Sequence, residues 1–116
     1  MKKISGGKYH PSRKKKLYER HSPSRLTALG AEKRKDLRTK HGTVKKVLLS
    51  MDKAFVLDKK TNKGKVVKIK SVIQIPSNRY PKNILVKGAI IDTEMGKARI
   101  TNRPGQEGNI FAVLTQ

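Results

Sequence analysis

What most constrains this chain is the separation of its charge from its apolar residues. Residues 1–46 carry 16 Lys and Arg against Glu19, Glu32 and Asp36. Beyond the initial Met, their large apolar residues are Ile4, Leu17, Leu26, Leu29, Leu37 and Val44, beside Tyr9 and Tyr18. A segment so poor in apolar area cannot offset the entropy lost on ordering it. Residues 47–116 carry 13 Lys and Arg against five acids and hold most of the alternating apolar runs. The expected organisation is a basic extension over residues 1–32, disordered when free, followed by one small β domain over residues 33–116.

The whole chain has a formal net charge of +21 on 116 residues, of which 34% are apolar. Self-repulsion at that density disfavours a compact state unless a polyanion neutralises it. Cysteine is absent, which removes disulfides and thiolate metal sites. No apolar run approaches the roughly 18 residues of a membrane span, and no apolar stretch near the N-terminus resembles a secretory signal. These features predict a soluble intracellular protein with no membrane partner.

Alternation of period 2, the mark of half-buried strands, runs through the second part. "TVKKVLLS" (43–50) and "KAFVLD" (53–58) read as strands. "KVVKIKSVIQI" (65–75) places Val67, Ile69, Ser71, Ile73 and Ile75 on one face and Lys68, Lys70 and Gln74 on the other. Asn62 and Gly64, both tolerant of positive φ, suit the hairpin loop between the last two runs. "AIIDTEMGKARIT" (89–101) reads as a second hairpin turning at Met95-Gly96, and "NIFAVLT" (109–115) as a last strand after the loop "NRPGQEG". Short strands at this spacing predict a mainly β fold, a small antiparallel β-barrel whose closure removes exposed edges. The stretch "LTALGAEKRKDLRTK" (26–40) is open between helix and strand: its residue types favour helix, while Gly30 interrupts it and "HG" at 41–42 suits a hairpin turn.

Catalytic patterns are scarce. Gly96-Lys97 lacks the rest of a phosphate-binding glycine loop, since Ile91 and Ala98 stand where a glycine and a Ser or Thr are required. His10, His21 and His41 are too few and too scattered for a zinc site, and no Gly-x-Ser-x-Gly elbow occurs. Asp92 and Glu94, two apart on one strand, read better as a solvated pair offsetting nearby lysines than as acid and base. The expectation is a protein that is not an enzyme and takes no cofactor, metal or small-molecule substrate.

Binding to nucleic acid remains. Closely spaced cations neutralise phosphates and release counterions. The candidates before residue 33 are Lys2, Lys3, Lys8, Arg13, Lys14, Lys15, Lys16, Arg20 and Arg25. Lys33, Arg34, Lys35, Arg38, Lys40, Lys45 and Lys46 continue the series, with Arg79 and Arg103 later. Gly6 and Gly7 let backbone approach a phosphate. Tyr9, His10, Tyr18, His21 and Tyr80 offer flat faces on which unpaired bases stack, an arrangement suited to irregular folded RNA. A charge run alone also describes a solvated tail. Basic residues throughout the chain favour nucleic acid over that description, and the aromatic-bearing extension favours RNA over DNA.

Several blocks then resemble one family. They are "SGGK" (5–8), "RKKKLYE" (13–19), "LG" with "EKRK" (29–35), "RTKHG" (38–42), "NR" (78–79), "KGAIIDTEMGKARITNRPGQEG" (87–108) and "FAVL" (111–114). In this order they resemble the small-subunit ribosomal protein of archaeal and eukaryotic type numbered eight, in its short archaeal form without long insertions. The resemblance implies a structural, cytoplasmic component of the ribosome whose partners are small-subunit ribosomal RNA and neighbouring ribosomal proteins. It also implies a strand at 33–40, hairpinned at 41–42 to the next. Without it, a DNA-compacting architectural protein or an accessory factor of RNA processing would share the same charge.

Overall fold

A computed structural model describes residues 1–115. The strands are β1 (Thr27–Leu29), β2 (Lys33–Arg38), β3 (Val44–Met51), β4 (Lys53–Asp58) and β5 (Lys63–Gln74). They are followed by β6 (Ile84–Leu85), β7 (Ile90–Thr93), β8 (Gly96–Ile100) and β9 (Phe111–Leu114). β4, β5, β7, β8 and β9 close into a barrel, and β2, β3, β1 and β6 form a separate sheet in that order. The strand runs expected from alternation are therefore present, and the chain crosses from sheet to barrel between Met51 and Lys53.

The barrel departs from an all-antiparallel ring at one seam. Five strands that alternate in direction bring the first and last together pointing the same way, so β4 and β9 pair in parallel, Val56 opposite Ala112. Its interior alternates small and branched residues: Ala54, Val56, Val67, Ile69, Ile91, Ala98, Ile100 and Ala112 are all buried. A ring this narrow has no room for large side chains at every inward position. Leu48 and Met51 of β3 and Leu85 of β6 join the same cluster, so sheet and barrel share one core.

Three local expectations are corrected. The face predicted for 65–75 breaks because β5 carries register shifts between Ile69 and Ser71 and between Val72 and Gln74. Each extra residue flips the pleat, as a bulge does. Val72 packs on the core, while Ile73 is 49% exposed. Gly64 serves space, not a left-handed turn: Asn62 has φ 53°, and a Cβ on Gly64 would lie 2.2 Å from the Phe55 ring. Glu94 sits in the turn after β7, with Met95 beside it, so it does not share a strand face with Asp92.

The open stretch 26–40 resolves as strands. β2 pairs antiparallel with β3 through a turn in which His41 and Gly42 have φ 63° and 76°. β1 lies within the stretch read as an extension. It pairs in parallel with β3 and antiparallel with β6. Thr27 is buried and its hydroxyl donates to the Leu48 carbonyl at 2.9 Å. A three-residue strand is too short to show a period, which is why alternation missed it.

"NRPGQEG", expected as a loop, contains a one-turn helix, α1 (Pro104–Glu107). Pro104 opens it and Gly108, at φ 74°, ends it, the residue types favoured at those two ends. The Asn102 side chain donates to the Asn109 carbonyl at 2.7 Å and accepts from the Phe111 N–H at 3.0 Å, clamping the excursion between β8 and β9.

Candidate nucleic-acid interface

The hydrogen bonds of residues 1–23 are all short-range. Lys3 N–H donates to the Gly7 carbonyl at 2.7 Å and Gly6 N–H to the Lys3 carbonyl at 2.9 Å, closing a small loop around Gly6 at φ 80°. A Cβ at Gly6 would meet nothing within 4 Å, so this backbone stands open to a ligand. Lys3 Nζ lies 5.7 Å from the Tyr9 ring centroid and already covers one face of that ring. A single 3-10 turn follows at Leu17–Glu19, with Tyr18 78% exposed. Arg13 donates from Nη1 and Nη2 to the two Glu19 carboxylate oxygens, at 2.8 and 2.6 Å, and Lys16 N–H donates to the same carboxylate at 3.0 Å. The Arg13 bond first, and then the Lys16 N–H, hold the Glu19 carboxyl below its usual range. The Cα radius of gyration is 18.8 Å, against about 13 Å for a compact domain of this length.

Lys2, Lys8, His10, Lys14, Lys15, Lys16, Arg20 and His21 are all exposed, and Gly7 is too. On the sheet, Lys33, Arg34, Lys35 and Arg38 project from the edge strand β2, with Lys40 in the following turn and Lys45 and Lys46 on β3. Charged edges of this kind also block edge-to-edge pairing. Arg34 is partly engaged: its Nε lies 2.8 Å from Glu32 and it donates to Asn109 Oδ1 at 3.3 Å. Lys45 Nζ donates to Gln106 Oε1 of α1. Among the described residues, Arg13 and Arg34 are the Lys and Arg side chains with a carboxylate within 4.0 Å. The other Lys and Arg side chains have no carboxylate within that distance among the described residues.

The structure brings together three candidates that lie far apart in sequence. Arg25, Tyr80 and Arg103 line one open groove of about 470 Å³. Each wall has a local cause. Gly105 seats the Arg25 backbone against α1, since a Cβ there would lie 3.0 Å from the Arg25 carbonyl oxygen. Asn102 holds the start of α1 and so places Arg103. Tyr80 is half-buried in a loop between Pro76 and Pro81, its N–H donating to the Ser77 carbonyl at 3.4 Å. Arg79 is exposed on that loop and does not line the groove.

Sequence reasoning missed Lys87, which lines the same groove; nothing in its neighbourhood separates it from other scattered lysines. It also missed the outward-facing pair Phe55 and Phe111, 39% and 41% exposed, with ring centroids 6.0 Å apart at 72°. Their outward positions were readable from the alternation of β4 and β9, but their adjacency depends on the parallel seam.

The profile of ribosomal protein S8e matches residues 1–115. A relative from Methanocorpusculum labreanum, named small ribosomal subunit protein eS8, is 43% identical over 100% of this chain and 94% of its own length. The proteins of that name from Methanospirillum hungatei and Saccharolobus islandicus are 42% and 44% identical, covering 100% and 97% of this chain and 94% and 87% of theirs. Full-length matches at this identity agree with the motif blocks in the sequence and with the β-barrel, and the chain belongs to the ribosomal protein S8e family.

Proposed function

We propose that this protein is a structural constituent of the small ribosomal subunit that holds folded ribosomal RNA through its uncompensated cations and carries out no catalytic step. The observation that carries this is the scarcity of internal ion pairs: a chain of net charge +21 in which two basic side chains have carboxylate partners among the described residues. Such a surface gains most from phosphates, whose condensed counterions are released on binding. The segment ahead of β1 acts as a basic extension that completes its ordering on RNA, and the β2–β3 hairpin and the 76–83 loop supply further contacts from the folded body. Neighbouring ribosomal proteins complete the setting, which places the protein in the ribosome. No helix among the described residues is long and apolar enough to cross a membrane.

The test is sedimentation of small subunits from cells carrying the tagged protein, washed at rising salt, beside titrations of purified protein with small-subunit RNA and with duplex DNA. Retention through washes that strip loosely held factors, with tighter binding to folded RNA than to DNA, is the expected result. Equal affinity for duplex DNA favours an architectural role, and loss from mature subunits favours an accessory factor.

A further inference from the structure

We propose that the groove between residues 24–26, the 76–80 loop and α1 captures one extruded nucleotide of RNA, with its base against Tyr80 and its flanking phosphates on Arg25 and Arg103. This rests on the RNA-binding role above and specifies the form of RNA that the groove takes.

Its chemistry divides into two halves. Arg25, Arg103 and Lys87 supply positive charge, and no Asp or Glu lines the groove. Neither arginine is paired with a carboxylate among the described residues, so both guanidinium forks are free for bidentate contact with phosphate oxygens. Tyr80, Leu26 and Pro104 supply a flat ring and apolar surface, the environment in which a heterocycle loses water at least cost. A phosphate-and-base ligand needs both halves; a free anion needs only the first.

Size selects among RNA forms. At about 470 Å³ the groove lies toward the lower end of the roughly 300–1,000 Å³ typical of small-ligand sites. That admits one nucleotide and excludes a duplex. Bases that leave a helix at bulges and loops are the ones proteins stack on aromatic rings. The exposed basic run from Arg13 to Arg20 leads along the chain to Arg25, so a strand following those cations reaches the groove.

The experiment titrates the full chain with two RNA hairpins that are identical except for a single bulged 2-aminopurine nucleotide in one. The bulged hairpin is expected to bind about tenfold tighter at fixed salt, the scale of one base–aromatic stack, with quenching of the 2-aminopurine fluorescence. Tyr80→Phe keeps the preference and Tyr80→Ala abolishes it. Arg25→Gln with Arg103→Gln weakens the bulged hairpin more than the plain one, while Lys60→Ala, on the β4–β5 hairpin, leaves the ratio unchanged. Equal affinity of the wild-type chain for the two hairpins, with salt-dependent binding intact, overturns the groove assignment and leaves the RNA-binding role standing. Absence of salt-dependent binding to either hairpin overturns both. Equal affinity for the two hairpins, together with binding of an acidic peptide that Arg25→Gln with Arg103→Gln abolishes, assigns the groove to a protein tail and also overturns the proposal. The wild-type comparison of the two hairpins decides the matter even if Tyr80→Ala does not fold.

Discussion

The barrel and the segment ahead of Thr27 use the same basic residues in opposite ways. On the barrel, Lys53, Lys68, Lys97 and Arg99 face outward beside Ala54, Val67, Ile69, Ala98 and Ile100, which face in. Charge there is the solvent side of a pleat. In residues 13–16 four cations follow one another with no buried residue between them. Among the described residues, Glu19 is the carboxylate paired with any of those charges. Charge interleaved with a core has buried area to offset its repulsion; charge without a core has none.

Deleting residues 1–24 is the hardest test of that contrast, because it stops short of buried Thr27. RNA affinity at moderate salt should fall by orders of magnitude. The slope of log affinity against log salt should flatten by several units, at about 0.7–0.9 for each phosphate that is no longer neutralised. The urea midpoint should hardly move. An unchanged salt slope would remove the segment from the interface.

Ile100→Ala makes the opposite cut. Ile100 is buried in the barrel, and truncation in such a site costs about 2–5 kcal/mol, a large part of a small domain's stability. Leu17→Ala, at an exposed position, should stay within about 0.5 kcal/mol. Chemical denaturation of both variants reads the difference, and similar losses would erase the distinction between the two regions.

Thr27→Val sharpens the boundary. It keeps the shape and removes the hydroxyl donated to the Leu48 carbonyl, for a loss of about 1 kcal/mol. A neutral result would return β1 to the segment ahead of it.

The smallest effect concerns Glu19. Its carboxyl is held low by the Arg13 side chain and then by the Lys16 N–H. A carboxyl whose pKa is depressed in the ordered turn stabilises that turn above the ordinary carboxylate range and loses the effect as pH falls through the lowered value. Carboxyl NMR should therefore give a Glu19 midpoint below the usual Glu value, with the turn's shifts changing in step. An ordinary midpoint means the turn is not populated in solution. Glu19→Gln releases Arg13 and should steepen the RNA salt slope by up to about one unit.

Much of the barrel was legible because its strands repeat the pleat: Lys53–Asp58 was bounded as observed, and the 89–101 hairpin is present, although it turns at Glu94-Met95, one residue before the expected Met95-Gly96, with Gly96 opening β8 at φ 118°. The elements that escaped are short or interrupted. β1 and β6 have three and two residues, too few to show a period. The bulges of β5 are set by register against β7, and no feature of β5 alone marks Lys70 or Ile73 as the extra residue.

The candidate interface divides in the same way. Residue identity alone determined that the chain is a polycation poor in apolar residues and that its alternating runs become strands, because net charge and period 2 are properties of the chain itself. Tertiary structure alone decided that Arg25, Tyr80, Lys87 and Arg103 share a groove. Those residues come from four segments with no common period. They meet because β1 inserts beside β6, the 76–81 loop folds over, and Gly105 lets α1 close against the Arg25 backbone.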